Sequence, residues 1–110
     1  MELEKKLKFN LLLDIYGETL TDTMRQNMES YYNDDLSLGE IADLQGVSRN
    51  AIYSSIKQGE KELLNLEEKI GLLSTFDKIK SKIEKAEECD DIDDIKKFLH
   101  EIKEDIQNGI

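Results

Sequence analysis

The sequence predicts an all-α protein with a helix-turn-helix core and a C-terminal helical hairpin. The 110 residues contain no proline and only six glycines. Leu, Ile, Glu, Lys and Asp dominate, whereas Val is rare and aromatic residues make up 6% of the chain. Strands favour β-branched and aromatic residues. Apolar residues also recur at spacings of three and four, as they do in amphipathic helices. These observations predict helices throughout and no sheet.

Two helices are expected ahead of the motif. The first covers residues 2–15 and carries an apolar stripe formed by Leu3, Leu7, Leu11, Leu12, Leu13 and Ile15. Thr21 is the expected N-cap of the second helix, residues 22–32, because its hydroxyl can accept from an unpaired backbone N–H. One side of that helix presents Met24, Met28 and either Tyr31 or Tyr32. Residues 33–35 form a turn.

Residues 37–52 carry the pattern of a helix-turn-helix. Ser37 and Glu40 form a capping box that begins a short helix at residues 38–45. Gly46 permits the tight turn, because glycine adopts backbone conformations that other residues avoid. The two helices cross steeply and need a small residue at their contact, which is Ala42. The small core between them is expected to consist of Ile41, Leu44, Val47 and Ile52.

The second helix of the motif has a polar outward side, which we call the recognition face. It consists of Ser48, which caps the helix, and of Arg49, Asn50, Tyr53, Ser54 and Lys57. Arg and Asn contact phosphates or base edges, and Tyr stacks on unpaired bases. The charge of Arg49 adds to the positive end of the helix dipole. The residues alone leave two interpretations open: a nucleic-acid interface, or a surface that packs or binds protein.

The charge of the chain argues against strong nucleic-acid binding. The net charge is −10, whereas phosphate binding needs clustered Lys and Arg. Residues 37–71 carry six acids and four bases, a net of −2, and the segments before and after them each carry −4. The motif is therefore the least acidic part, and modest binding to structured RNA is expected ahead of duplex DNA. A second set of cations that could meet phosphate lies on one later helix face, at Lys78, Lys82 and Lys85.

The helix capped by Ser48 is expected to run to about residue 70 and to stop at Gly71. It carries an apolar seam, with several seven-residue spacings, formed by Ile56, Leu63, Leu66, Ile70 and Leu73. Added to the hairpin stripes, this seam offers more apolar surface than one short chain easily buries. We therefore expect a homodimer, with intramolecular helix packing as the alternative use of the same residues.

Residues 74–110 predict an antiparallel helical hairpin that packs on a helix-turn-helix domain of residues 1–73, whose motif covers about residues 37–57. Ser74 or Thr75 is the expected cap of the first hairpin helix, whose stripe is Phe76, Ile79, Ile83 and Ala86. Residues 89–91 form the turn and supply aspartates that can cap the last helix, residues 92–107. The stripe of that helix is Ile92, Ile95, Leu99, Ile102 and Ile106.

The sequence contains no motif for catalysis, a cofactor or a metal. His100 is a lone histidine in an amphipathic helix, and Cys89 lies in a turn without a nearby base, so neither predicts a ligand or a nucleophile. The aspartates at positions 90, 91, 93 and 94 lack the spacing and the glycine of an EF-hand loop. We expect no enzymatic activity, no cofactor and no bound metal.

The sequence also predicts a soluble, cytoplasmic protein. The longest apolar run is Leu11, Leu12 and Leu13, far shorter than a membrane span. The first residues are acidic and lack the apolar core of a signal peptide. A single cysteine cannot form an intrachain disulfide, which fits a reducing compartment.

Over about residues 11–73 the chain resembles the YlxM family, small bacterial proteins similar to the last, helix-turn-helix region of sigma-70 factors. The resemblance is most characteristic in the run Asp35, Leu36, Ser37, Leu38, Gly39, Glu40, Ile41 and Ala42. It also includes residues 13–17, 20–21, 31–32, 46–49, 51–53, 56–57, 60–61, 63 and 69–72. Gly59 departs from the family pattern, where a larger polar or basic residue is usual. Residues 74–110 are similar only in helical character and acidity.

This resemblance implies a sigma-70 region 4-like core and a non-enzymatic accessory or regulatory role in the signal recognition particle pathway. The link to that pathway comes from family genes that neighbour those for the particle's GTPase and its receptor. The implied partners are the particle's RNA, its GTPase protein, or both. Two alternatives remain, namely a DNA-binding transcriptional regulator and a purely protein-binding adaptor. The acidic balance counts against the DNA regulator.

Overall fold

The computed structural model describes residues 2–109, which form six α-helices and one 3-10 turn. The helices are α1 (Leu3–Tyr16), α2 (Asp22–Tyr32), α3 (Leu38–Gln45), α4 (Arg49–Ile70), α5 (Leu72–Glu88) and α6 (Ile92–Gly109), and the 3-10 turn is Gly17–Thr19. No strand occurs in residues 2–109, so the all-α prediction is confirmed. Across the same residues, no helix is long and apolar enough to cross a membrane.

Side-chain caps begin four of the helices where the sequence predicted them, and the cap of α3, at Ser37, belongs to the helix-turn-helix described below. Thr21 Oγ1 accepts from the backbone N–H of Met24 at 3.2 Å at the start of α2. Ser48 Oγ accepts from the N–H of Ala51 at 3.1 Å at the start of α4. A carboxylate oxygen of Asp91 accepts from the N–H of Asp93 at 2.9 Å beside the start of α6. Each cap satisfies a backbone donor that has no partner within its helix.

The start of α5 differs from the prediction. The helix begins at Leu72 rather than after Ser74 or Thr75, and Gly71 alone separates it from α4. Gly71 has a φ of 73°, the left-handed conformation that commonly ends a helix and that glycine adopts without strain. The predicted cap was wrong because Gly71, which makes no side-chain cap, both ends α4 and begins α5.

The chain divides into two compact units, residues 1–69 and residues 70–110. The first unit holds the apolar core. Its buried apolar side chains come from α1 to α4 and the 3-10 segment: Phe9, Leu12, Leu13, Tyr16, Leu20, Met28, Tyr32, Ile41, Ala42, Ile52, Ile56 and Leu63. The first four helices therefore form a small domain around the helix-turn-helix.

α1 faces this core with only part of the predicted stripe, because Leu12 and Leu13 are buried but the other predicted leucines are not. Its buried residues are Phe9, Leu12, Leu13 and Tyr16, whereas Leu3, Leu7 and Leu11 are exposed. The ring of Phe9 stacks on that of Tyr32 with their centroids 5.0 Å apart. Asn10 Nδ2 also donates to the backbone carbonyl of Tyr32 at 3.0 Å, at the end of α2. Aromatic stacking and this hydrogen bond favour the observed rotation of α1 over the one that buries Leu3 and Leu7.

Gly59 lies where α4 crosses α2. It is buried, and a Cβ atom built on it would lie 2.3 Å from Sδ of Met28 and 3.1 Å from Cγ of Met24. Both distances are shorter than an ordinary van der Waals contact, so the backbone of α4 approaches α2 at a point that no side chain could occupy. The glycine serves helix packing and does not belong to the recognition face.

The second unit is an antiparallel hairpin of α5 and α6. Lys82 Nζ on α5 lies 2.7 Å from Oδ2 of Asp105 on α6. Gly109, at the end of α6, would place a Cβ atom 2.6 Å from Cγ2 of Thr75, near the start of α5. Neither helix contains a fully buried residue. A pair of helices has only one mutual contact and cannot enclose a core, so every apolar side chain of the hairpin keeps some exposure.

Candidate nucleic-acid interface

α3, the turn at Gly46 and the first half of α4 form the helix-turn-helix. The capping box is present at its start: Glu40 N–H donates to Ser37 Oγ, and Ser37 N–H donates to Glu40 Oε1, both at 3.1 Å. Gly46 has a φ of 67°, and the N–H of Val47 donates to the carbonyl of Ala42 at 3.1 Å. These bonds close the end of α3 and direct the chain into α4.

Two of the four residues predicted to fill the small core of the motif lie outside it. Ile41 and Ile52 are buried, and so is Ala42 at the helix crossing. Leu44 is 78% exposed and Val47 46% exposed. The prediction was wrong for these two because the core of the unit draws on buried residues of α1 and α2 as well as on the motif, and Leu44 and Val47 remain exposed outside it. Leu44 and Val47 instead form an apolar patch at the turn.

A network of hydrogen bonds links α2, α3 and α4 in this region. Asn27 on α2 is almost completely buried. Its Nδ2 donates to Ser55 Oγ on α4 at 2.9 Å, and its Oδ1 accepts from Gln45 Nε2 at the end of α3. Both polar atoms of the Asn27 side chain therefore have a hydrogen-bond partner, so its burial leaves no donor or acceptor unsatisfied. The sequence analysis did not identify this network.

The predicted recognition residues lie together on the exposed side of α4. Ser48, Arg49, Asn50, Tyr53, Ser54 and Lys57 are all exposed. The hydroxyl of Ser48 is occupied by its cap, and Lys57 Nζ lies 5.5 Å from the centre of the Tyr53 ring, within cation–π range. Lys61, one turn beyond Lys57, is also exposed. The sequence analysis missed Lys61, which its four-residue spacing from Lys57 could have identified.

A groove borders this face, and we call it the Leu38 groove. Its middle, about 270 Å³, is lined by Leu38, Arg49, Asn50 and Tyr53. One end, about 390 Å³, is lined by Tyr31, Asp35, Leu36, Ser37, Leu38, Glu40 and Arg49. The other end is smaller and reaches Lys5, Ile56, Lys57 and Glu60. Leu38 lines all three cavities, and Arg49 and Tyr53 each line two of them, so the cavities adjoin along this face. The helical pattern alone does not predict this feature.

Lys57 is exposed, but its ammonium group also forms an ion pair with Glu60. Lys57 Nζ donates to Glu60 Oε2 at 3.3 Å, and Lys5 Nζ lies 3.9 Å from Oε1 of the same carboxylate. The hydroxyl of Tyr32 donates to Oε1 as well. Glu60 is only 8% exposed, so these three donors stabilise a carboxylate that burial would otherwise destabilise. Burial, with the bond and charge of Glu60, raises the pKa of Tyr32 above its ordinary range.

Arg49 is the exposed cation of the recognition face that is not held by a carboxylate within residues 2–109. Among the residues that the structure describes, it makes no ion pair, and it lies one residue after the cap of α4. The lysines of the hairpin that could also meet phosphate differ in their pairing and exposure. Lys82 is paired with Asp105, and this hydrogen bond raises the pKa of Lys82. Lys78 and Lys85 are exposed.

The residues of the predicted apolar seam occupy different environments. Ile56 and Leu63 belong to the core of the first unit, Leu66 and Leu73 are half-buried, and Ile70 is exposed. His100, which the sequence analysis set aside as a ligand, has Nε2 3.0 Å from Oε1 of Glu104 on the same exposed helix face. Among residues 2–109, no group of His, Cys, Asp and Glu side chains could hold a metal ion.

Comparison with known proteins adds the family context. Residues 3–106 match the sequence model of the UPF0122 family, YlxM/p13-like proteins to which a helix-turn-helix is ascribed. A UPF0122 protein of Thermoanaerobacter sp. is 40% identical over 108 residues, covering 92% of each chain. One from Clostridium perfringens is 37% identical over 114 residues, covering 97% of this chain and all of its own. One from Desulforamulus reducens is 49% identical over 69 residues, and this match spans 59% of that relative.

Proposed function

Because the chain belongs to the UPF0122 family of YlxM/p13-like helix-turn-helix proteins, we propose that it is a non-enzymatic accessory protein of the signal recognition particle pathway. Its recognition face contacts the particle's RNA. The pathway rests on the resemblance to the YlxM family, and the choice of RNA rests on the chemistry of the face. This role implies a cytoplasmic location and requires no cofactor.

The observation that carries this proposal is the accessible line of Arg49, Tyr53 and Lys57 beside the Leu38 groove. A guanidinium group binds phosphate with two parallel hydrogen bonds. An exposed tyrosine ring offers a surface on which an unpaired base can stack. The adjacent cavity of about 270 Å³ is near the lower limit of small-ligand sites, so it suits a single base rather than a folded peptide.

The same groove favours RNA over duplex DNA. Asp35 and Glu40 line it together with Arg49. A rigid duplex would bring continuous phosphate backbones against these carboxylates, and the resulting repulsion would oppose the few available cations. An RNA loop can instead direct one phosphate to Arg49 and one base to Tyr53 while the rest of the chain turns away.

The test is a filter-binding titration at low salt against the particle's RNA and a random DNA duplex. The variant Arg49→Ala with Lys57→Ala is expected to lose about tenfold or more in RNA affinity, because charge-assisted hydrogen bonds contribute roughly 1.5–3 kcal/mol each. The control, Lys78→Ala with Lys85→Ala, removes the same charge from the hairpin and should bind like the wild type. Thermal melting of both variants verifies that they fold, since Lys57 also stabilises Glu60.

Each other outcome points to a different role. Equal RNA binding by wild type and the Arg49 variant would place the contact elsewhere, with the lysines of α5 as the next site to test. Stronger binding to duplex DNA than to RNA would support the transcriptional regulator. If neither the RNA nor the DNA binds at low salt, the result would support the protein-binding adaptor.

The adaptor is the second candidate, and the exposed Leu44 and Val47 favour it. Large apolar side chains at a turn are common in protein interfaces and add nothing to phosphate binding. In this version, the patch at the turn binds the particle's GTPase. Pull-down with the purified GTPase should then fail for Leu44→Ser with Val47→Ser and succeed for the Arg49 and Lys57 variant.

A further inference from the structure

The hairpin carries large apolar side chains that its own two helices leave uncovered. Phe76 and Ile83 on α5 and Ile92, Leu99 and Ile106 on α6 are between 44% and 66% exposed. A different set of side chains is half-buried and mediates the contact between the two helices. On α5 these include Ile79 and Ala86, and on α6 they include Ile95, Phe98 and Ile102. The uncovered residues therefore form a separate surface, which we call the hairpin face.

The uncovered residues of both helices lie on the same side of the hairpin. Members of each set are seven residues apart along their helix, the spacing that aligns side chains in helix bundles. Successive residues of an α-helix are about 100° apart around the helix axis. On each helix, the uncovered set lies roughly a quarter turn around that axis from the half-buried contact stripe, and the direction of this rotation is the same on α5 and on α6. Because α5 and α6 run antiparallel, equal rotations in this sense bring both sets to one side. The result is a two-helix apolar surface about 25 Å long.

The outer edges of this surface carry opposite charges. On the α5 side, Lys80, Glu84 and Glu87 flank the apolar residues with a net charge of −1, and on the α6 side Lys96 and Lys103 flank them with a net charge of +2; all five are exposed. The contacts of Lys82 with Asp105 and of Gly109 with Thr75 set the register of the hairpin, so that Glu84 lies within about one helical turn of Lys103 along it. One edge of the surface is therefore acidic where the other is basic.

We propose that the hairpin face binds the hairpin face of a second copy of this chain and forms a four-helix bundle. A two-fold axis parallel to the helices places α5 of one copy over α6 of the other, with neighbouring helices antiparallel. In that arrangement the Glu84 and Glu87 edge meets the Lys96 and Lys103 edge of the partner on both sides. The other face-to-face arrangement places α6 over α6 and brings the lysines together. The charges therefore select the first arrangement.

The surface has the size of a weak dimer. Two helices about 25 Å long and about 10 Å wide present roughly 500 Å² per copy. The total of roughly 1,000 Å² is at the lower limit for a specific interface, so we expect a dissociation constant in the micromolar range. The dimer differs from one built on the predicted seam, because Ile56 and Leu63 are buried in the core of the first unit.

Sedimentation of the full chain over micromolar to submillimolar concentrations tests the proposal. The wild type should change from monomer to dimer, and Leu99→Lys should remain monomeric. The matched control is Leu7→Lys, which places the same charge on the other exposed apolar stripe, on α1, and should dimerise like the wild type. A wild type that stays monomeric, a Leu99 variant that dimerises normally, or a Leu7 variant that alone loses the dimer would each overturn the proposal. Circular dichroism checks that both variants keep their helices.

Charge reversal tests the arrangement independently of apolar substitutions. Glu84→Lys with Glu87→Lys makes both edges basic, and Lys96→Glu with Lys103→Glu makes both edges acidic. Each variant alone should dimerise about tenfold or more weakly than the wild type. An equimolar mixture should form a heterodimer, because every edge then meets one of opposite charge. Homodimers of undiminished stability, or a mixture that does not associate, would overturn the arrangement.

Discussion

Gly59 and Glu60, adjacent on α4, are constrained by the helices that pack against them. The backbone at Gly59 touches Met28 of α2, and the carboxylate of Glu60 receives donors from α1, α2 and α4 itself. Neither side chain position is available for a ligand. Together they fix the part of α4 that follows the recognition face, so changes at these residues act on stability before they act on binding.

Gly59→Ala is expected to destabilise the protein, although Ala is the better helix former. The gain in helix propensity is about 1 kcal/mol, whereas forcing a methyl group into a packed core costs about 1–3 kcal/mol. The clash should outweigh the gain in helix propensity because Met28 is completely buried, so its side chain must repack within the core to make room for the methyl group. We expect the free energy of unfolding in urea to fall by about 1 kcal/mol or more.

The control for this effect is the same substitution in a Met28→Ala background. Removing the long side chain opens the space that the new methyl group needs. In that background Gly59→Ala should be neutral or stabilising. A substitution that costs the same in both backgrounds would show that the contact with Met28 is not the cause.

Because Tyr32 is buried, we expect the folded protein to lose stability at alkaline pH. Burial, together with Glu60, raises the pKa of Tyr32 in the folded state, whereas in the unfolded chain it titrates near about 10. Its contribution is therefore complete below about pH 10 and is lost as pH rises above that value, by up to about 1.4 kcal/mol per pH unit. Urea unfolding of the wild type should weaken more steeply above about pH 10 than that of Tyr32→Phe. Tyr53→Phe, on an exposed residue, should keep the steep dependence.

The helix ends that are set by side-chain caps or by a single glycine were predictable from the sequence. Thr21, Ser37 and Ser48 each accept from a backbone N–H a few residues ahead, and such bonds need no distant partner. Gly46 is similar, because its left-handed conformation depends only on its own lack of a side chain. That the six recognition residues share an exposed side of α4 was also predictable, since spacing on one helix decides which side chains share a face; their role in binding stays a prediction.

Features that depend on packing between helices were not predictable in the same way. α1 has two apolar stripes, and only the position of Tyr32 on α2 decides that Phe9 rather than Leu7 turns inward. Leu44 and Val47 fit the pattern of a miniature core, but the core that buries Ile41 and Ile52 also contains residues of α1 and α2 and leaves Leu44 and Val47 exposed. The Leu38 groove, the Asn27 network and the role of Gly59 likewise arise from residues that are far apart in the sequence.

At the scale of the elements, Asn27 should contribute more to stability than its polarity suggests. It joins α2 to both helices of the motif through Ser55 and Gln45. Asn27→Ala removes two hydrogen bonds, each worth about 0.5–1.5 kcal/mol, and leaves a cavity where the buried amide lay, so the free energy of unfolding should fall by about 1–3 kcal/mol. Asn50→Ala, on the exposed recognition face, should change the free energy of unfolding by less than about 0.5 kcal/mol. Equal effects of the two substitutions in urea unfolding would contradict the structural role of the network.

For the whole molecule, the net charge of −10 means that added salt should raise the stability of the fold. The same salt should lower the affinity for RNA. Screening reduces the mutual repulsion of the acids, so the melting temperature should rise from low to moderate ionic strength. RNA binding should weaken over the same range. With two or three phosphate contacts from Arg49, Lys57 and Lys61, the slope of log K against log salt should be about −2. A melting temperature that falls with salt, or binding that does not depend on salt, would contradict this account.

The division of the chain at residues 69 and 70 has a consequence for the order of events during synthesis. The first unit contains its own core and the complete recognition face, and helical domains of this size generally fold rapidly. Translation delivers this unit first, and N-terminal domains generally fold as they emerge. The recognition face would therefore be ready while the ribosome is still adding α5 and α6. Contact with RNA could begin on a nascent chain, whereas pairing of two copies must wait until both are finished.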